Sequence, residues 1–469
     1  MRALLVPLAL AATAVTSGSL ALASIPGGDD DRESARPAPT TAVLSPRRLP
    51  EVLAATVGQT KLTAALDAAL DSPATKGSTT CLTVEAGDDL VYARNPDASL
   101  VPASTMKVLT GMAALRRLGD DFRYVTPLVA PGGVPPSGVI EGQAWLVGSG
   151  DPLLSTAAYA ATLRNQPAVF TSLDSLADSI VAAGVKEIRG GIVGDETRYD
   201  TVRYVASWKP VYLTDNDVGP VSALSVNDGF VSFRPQPRRH AADPAAHAAS
   251  VLSDLLRGRG VVVGEPSSGR APAGASTVAS VASPPLPEVV GQLLRESDNM
   301  TAELLVKEMG VRFGGAGTWE AGLGVIRSTL QDAGLPVAAY QGVDGSGLDV
   351  SDRLSCTILM DALDLAGSGG AVAAGFPIAG QTGTLSDRFK GTPAEGKLRA
   401  KTGSLNFVAG LAGFVESAGA GTLEFALLAN ELPDRLQSGR QLQERVGSVL
   451  SQYPQVPPIT ELLPEPVAR

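Results

Sequence analysis

Ser104 and Lys107 stand three residues apart at the start of a stretch with helical apolar spacing. On a first helical turn, positions i and i+3 share a face, so these two side chains meet. A serine hydroxyl is a weak nucleophile at neutral pH and needs a base. A lysine can be that base when desolvation or a neighbouring cation lowers its pKa. A helix start also directs backbone N–H groups and the positive dipole end at developing negative charge. Taken alone, the pair reads more simply as a serine cap beside a solvated lysine.

Two further motifs change that balance. Ser297-Asp298-Asn299 offers a hydroxyl that can relay a proton and an amide that both donates and accepts. Ser-x-Asn also occurs at Ser225-Val226-Asn227 and Ser404-Leu405-Asn406, but only Ser297 falls between two helix-like stretches. Lys401-Thr402-Gly403, followed by Ser404, lies on a predicted strand. Lys401 supplies a cation for a carboxylate, and Thr402 and Ser404 supply hydroxyls. Gly403 leaves room for a ligand to come close to the backbone.

Composition narrows the chemistry. The 469-residue chain holds two histidines, two cysteines and, by count, 9 lysines against 29 arginines. His240 and His247 share one Ala/Pro/Arg-rich stretch, a poor setting for a Ser-His-Asp triad. So few Cys and His build no rich metal site, and no cofactor or metal is expected. The net charge of −10 argues against nucleic acid as a partner. A hydrophobic share of 44% supports a large core. An exported chain could oxidise Cys81 to Cys356, but buried free cysteine is common, and the reading favours two free thiols.

The elements that must position these groups follow from periodicity. Residues 59–70 read as a helix, and 81–84 and 90–93 as strands joined by a turn at Gly87-Asp88-Asp89. The helix after Lys107 shows Val108, Met112 and Leu115 on one face and stops at Gly119. Residues 121–285 change texture to short β-rich runs, with a helix at 173–183. Within them, Ile140-Glu141-Gly142 and Ile188-Arg189-Gly190 each lead into an apolar run, which suggests repeated β units. Helices return from Leu286, around Ser297, and at 319–333 and 354–365. Strands at 397–401, 407–415 and 423–429 precede a closing helix at 433–453, with Pro433 in its first turn. The expected fold is α+β. An antiparallel sheet flanked by helices is formed from residues 58–120 and 286–453, and a small β-rich α+β domain, 121–285, is inserted between them.

The ends read differently. Residues 1–24 combine Arg2, an apolar run and Ala21-Leu22-Ala23, which suggests a signal peptide or an uncleaved membrane anchor. The body is then exported, with peripheral membrane contact if the segment stays. Residues 25–57 have linker composition, and 454–469 read as a Pro-rich tail.

One Ser-x-x-Lys, one Ser-Asp-Asn and one Lys-Thr-Gly in this order resemble the penicillin-recognising acyl-serine transferases. The first two motifs start 193 residues apart, and this spacing and the absence of a convincing Glu-x-x-Leu-Asn loop narrow the resemblance. They fit the class C low-molecular-mass penicillin-binding proteins, the D-alanyl-D-alanine carboxypeptidase/endopeptidase family. Gly148-Ser149-Gly150-Asp151-Pro152, Asp344-Gly345-Ser346-Gly347-Leu348 and Gly383-Thr384-Leu385 with Arg388 are similar to it as well, over about residues 58–450. The resemblance implies a transpeptidase-like fold, with Ser104 attacking the bond between two D-alanines of a peptidoglycan stem peptide. It makes Lys107 the base, and Ser297 with Lys401 the route of the proton to the leaving amine. Lys401, Thr402, Gly403 and Ser404 would hold the terminal carboxylate, and Asn299 a substrate amide. Peptides ending in D-Ala-D-Ala are the implied partners, and β-lactams covalent inhibitors. In some members an acid after a Trp-containing segment pairs with a substrate amine. Here Trp208 is followed by Lys209-Pro210-Val211-Tyr212, and the nearest acids are Asp215 and Asp217. A β-lactamase or esterase with the same serine, or an exported sensor without turnover, are the alternatives.

Overall fold

In the computed structural model, residues 50–454 and 456 are described, and those from Ala54 on form one compact unit. The segment 1–24 and nearly all of the tail lie outside the described residues. Helix α1 (Pro50–Leu70) starts nine residues ahead of the apolar spacing that predicted it. Residues 50–57 are therefore helix and not linker. A proline suits the first turn, and Ala54 and Ala55 extend a helix by propensity without an apolar stripe.

Strands β1 (Thr79–Ala86) and β2 (Asp89–Arg94) form the expected hairpin. Ser104 follows on a short 3-10 turn, and α2 (Met106–Leu118) ends at Gly119 as read. Its residues 106–114 are all buried, Lys107 included, so one apolar face understates it. The helix runs through the core, and Gly111 lets the next helix close: a Cβ there would stand 3.0 Å from Val290.

Residues 125–282 carry sheets of their own. They hold β3 (Val125–Ala130), β4 (Val139–Ile140), β5 (Ala144–Val147), α3 (Leu173–Ala182), β6 (Glu187–Ile188) and β7 (Ile192–Asp195). Then come α4 (Pro244–Arg257), β8 (Val262–Val263), β9 (Ser267–Ser268) and β10 (Ser276–Ala282). The two similar segments lie side by side in parallel, Ile140 against Ile188 and Ala144 against Ile192. Their glycines explain the pattern, since a Cβ on Gly190 would come within 2.6 Å of Gly142 and Gln143 backbone. A third strand pair, β8 and β9, extends both parallel ladders without the Ile-x-Gly signature. A separate apolar cluster, including Leu146, Leu176, Ile180, Ile188, Ile192 and Leu252, packs α3 and α4 against these strands.

The chain then forms α5 (Leu286–Glu296), α6 (Asn299–Met309), α7 (Trp319–Asp332) and α8 (Cys356–Ala366). It ends with β11 (Leu398–Leu405), β12 (Val408–Glu416), β13 (Thr422–Asn430) and α9 (Gln437–Ser451). The sheet order is β11-β12-β13-β1-β2, antiparallel throughout, with the Lys401 strand at the edge. α9 starts four residues later than the periodicity implied. Pro433 lies before it, and the Asp434 carboxylate accepts from the Leu436 and Ser438 backbone N–H groups, holding a turn instead.

The cysteines are not free. Cys81 of β1 and Cys356 at the start of α8 form a disulfide, with Cα atoms 6.0 Å apart. Composition could not show that α8 packs on β1, nor that the Leu100–Leu354 bridge brings the two segments together. The bond spans 275 residues and lies close in sequence to the site's supporting loop. Replacing both cysteines by alanine is expected to lower the unfolding free energy by about 2–5 kcal/mol. Denaturation midpoints of the two proteins check this, and equal midpoints would contradict it.

Candidate active site

Ser104 sits where the backbone is least at ease: Ala103 before it has φ of 48°. Such a conformation persists in a non-glycine residue only when its surroundings impose it. Two close approaches do so. A Cβ on Gly347, whose φ is +79°, would lie 1.9 Å from the Ala103 carbonyl oxygen. One on Gly403 would lie 2.7 Å from the Pro102 carbonyl oxygen. Gly403 thus admits the protein's own nucleophile turn against β11.

Lys107 is fully buried. Its ammonium donates to Ser104 Oγ (3.1 Å), Asn299 Oδ1 (2.6 Å) and the Ser346 carbonyl (2.7 Å), which uses all three N–H groups. Burial pushes its pKa down to about 8, while Asp344 and Glu303 hold it from falling further. Those acids are structural. Glu303 accepts from the Gly345 and Ser346 N–H groups and from Trp319 Nε1. Asp344 accepts from the Gly347 and Asp349 N–H groups and from Trp208 Nε1 (2.7 Å). Together they hold the loop that presents the Ser346 carbonyl to Lys107.

Ser297 caps the end of α5 in the left-handed region (φ 59°, ψ 40°), and the Asp298 carboxylate caps α6. This sharp turn places Ser297 Oγ 2.9 Å from Lys401 Nζ, which also donates to the Thr402 carbonyl. Lys401 is buried, and desolvation followed by the charge of Lys107 drives its pKa well below the usual lysine range. Two buried lysines therefore each hold a serine hydroxyl that lines the same cleft.

The remaining site residues are placed as follows. Asn299 has both ends of its amide engaged, Oδ1 by Lys107 and Nδ2 by the Asp217 carbonyl (2.7 Å). A lysine can only donate, so this fixes the amide's orientation. Thr402 Oγ1 lies 2.9 Å from Thr384 Oγ1. Ser104, Ser297, Thr402 and Ser404 line one cleft together with Thr384 and three arginines. Asp217 is beside Asn299, and burial and Asp215 raise its carboxyl pKa. Sequence reasoning gave no role to Glu303, Asp344 or the arginines. Asn299, Glu303 and Lys307 repeat at a four-residue interval on one helix that is buried over nearly its whole length, and that polar stripe was the available signal.

Comparison with known proteins gives the fold and the family. Haemophilus influenzae penicillin-binding protein 4 (dacB) superposes with a TM-score of 0.68 at 21% identity, over 84% of this chain and 99% of that one. The chain therefore has that fold. Carboxypeptidase DacB of Mycolicibacterium smegmatis is 31% identical over 432 residues, 90% of each chain. The D-alanyl-D-alanine carboxypeptidase of Actinomadura sp. strain R39 is 29% identical over 453 residues, 79% of this chain and 81% of that one. The model of the D-Ala-D-Ala carboxypeptidase 3 (S13) family matches residues 62–241 and 234–446, and the chain belongs to that family.

Proposed function

We propose that the protein is an exported serine-type D-Ala-D-Ala carboxypeptidase acting on peptidoglycan stem peptides, and that it also opens cross-links between them. The observation that carries this reading is the fully buried Lys107 amine 3.1 Å from Ser104 Oγ, its pKa lowered to about 8. Ser104 Oγ bonds to the carbonyl carbon between the two D-alanines as Lys107 takes its proton. The backbone N–H groups of Ser104 and Ser404 hold the oxyanion. The C–N bond breaks, and Ser297 passes a proton to the departing amine and regains one from Lys401. Lys401, Thr402 and Ser404 bind the terminal carboxylate, and Gly403 lets the Ser104 turn pack against their strand. Asn299 offers Nδ2 to the substrate amide in place of the Asp217 carbonyl. Water then cleaves the ester: its proton passes through Ser297 to Lys401, and Lys107 returns to Ser104 Oγ the proton it took. β-Lactams place their ring carbonyl where the peptide carbonyl sits and acylate the same oxygen.

The domain division at about 121 and 285 is part of this proposal, as is export through residues 1–24. Asp217, next to Asn299, is the better candidate of the two acids for a substrate amine. The test is release of D-alanine from a diacyl-D-Ala-D-Ala peptide as a function of pH. Acylation needs Lys107 without its extra proton, so kcat/KM should rise as pH passes about 8 and then level. No D-alanine release at any pH would remove the carboxypeptidase reading.

A further inference from the structure

The lining of the cleft carries three positive side chains. Beside Thr384 and Thr402 stand Arg164, Arg388 and Arg440, and no carboxylate is among the residues that line the cleft. The three guanidiniums come from separate parts of the chain. Arg164 lies in the loop before α3, Arg388 follows the Gly383-Thr384 turn, and Arg440 is in the first turn of α9.

The fold gathers them in one cleft. Arg164 Nη1 donates to the Gly383 carbonyl (3.3 Å), and the Gly383 N–H donates to Asn165 Oδ1 (3.4 Å). These bonds fasten the Arg164 loop to the turn whose Thr384 hydroxyl meets Thr402. Arg388 is pinned by Gln443 Oε1 (2.7 Å), Glu444 Oε1 (3.1 Å) and the Arg440 carbonyl (3.1 Å). Arg164 and Arg440 are exposed, and neither forms an ion pair among the described residues. Arg164 also opposes the rise that burial imposes on the Glu296 carboxyl, so its charge reaches the residue before Ser297.

One carboxylate is satisfied by one planar guanidinium, or by a pair of hydroxyls with a cation. Thr402, Ser404 and Lys401 already meet the demand of a terminal D-alanine. Arg388 is already paired with Glu444, but Arg164 and Arg440 add two guanidiniums with no ion pair among the described residues, and these exceed that demand. We infer that Arg164, Arg388 and Arg440 form an anion subsite for a second carboxylate on the leaving group. The substrates it selects are those whose departing amine bears two or more carboxylates, as the acidic peptide partner of a cross-link does and free D-alanine does not. This rests on the acyl-transfer reading above, in which Ser297 and Lys401 protonate the amine in this cleft. The subsite biases the enzyme towards cross-link cleavage, and Arg164 makes the 121–285 insertion a wall of the specificity site.

The test uses the full chain and two diacyl peptides that differ only in the residue released, D-alanine or D-glutamate. The readout is the ratio of their kcat/KM values, with the rate of acylation by a fluorescent penicillin measured alongside. The native protein should favour the D-glutamate peptide, and Arg164→Ala and Arg440→Ala should each lower that ratio by about 3–10-fold. Raising salt should lower the native ratio in the same direction. A native ratio at or below one, or a ratio unchanged in both variants, would overturn the subsite while penicillin acylation left the acyl-transfer reading standing. A native protein that takes no penicillin and cuts neither peptide would overturn that reading itself.

Discussion

Alanine at position 104 should abolish the acyl-enzyme and lower peptide hydrolysis on the order of 10^5-fold or more. The oxygen lost is the one that Lys107 addresses at 3.1 Å, at a turn held by close backbone contacts to Gly347 and Gly403. Nothing else in the cleft replaces it. Ser297 Oγ is held by Lys401, and Ser404 is exposed on the edge strand with no basic side chain hydrogen-bonded to it among the described residues. The loss should come without loss of fold, because Ser104 contributes one hydroxyl at a half-exposed position. Steady-state hydrolysis and far-UV circular dichroism measure the two effects. Residual covalent labelling of the variant would mean that another residue is the nucleophile.

Methionine at position 107 should cost about 10^2–10^4-fold in acylation rate, the usual contribution of a general base. This substitution removes the amine at nearly constant volume, so the core around α2 stays filled. It leaves Asn299 Oδ1 and the Ser346 carbonyl without their donor. It also removes the cation that faces Glu303, whose carboxyl burial already raises to about 7 with Asp344 adding to the rise. The variant should therefore lose some stability, but its defining change is in the pH profile. The rise near pH 8 should vanish, because the group that titrates there is gone. Stopped-flow acylation across pH reads this directly. A rise that survives the substitution would assign the titration to another group, Lys401 first.

The chemistry was more legible than its support. Ser104, Lys107, Ser297, Asn299 and Lys401 were readable because serine-lysine spacing on a helix and a lysine-glycine strand are short local patterns in a chain with few lysines. The sheet and its flanking helices were readable from periodicity, apart from their ends. Pro50 begins a helix that apolar spacing placed later, and Asp434 holds a turn where a helix was expected. What local patterns could not show is proximity. The Cys81–Cys356 bond joins residues 275 positions apart, and the reading of two free thiols failed for that reason. Glu303 was hidden similarly, and Asp344 stood in a segment that resembles the family without a role, since both acids matter through the backbone groups they hold. Arg388 was picked out with Gly383-Thr384-Leu385, but Arg164 and Arg440 were hidden by abundance: among 29 arginines, the three that share a cleft have no common spacing.

The central claim is that Ser104 is a nucleophile activated by Lys107, and intact-mass measurement after incubation with penicillin tests it most directly. The native chain should gain the mass of one penicillin, and peptide mapping should place it on the peptide that contains Ser104. The Ser104→Ala chain should gain nothing. A native chain of unchanged mass, or an adduct mapped to Ser297 or Ser404, would contradict the account.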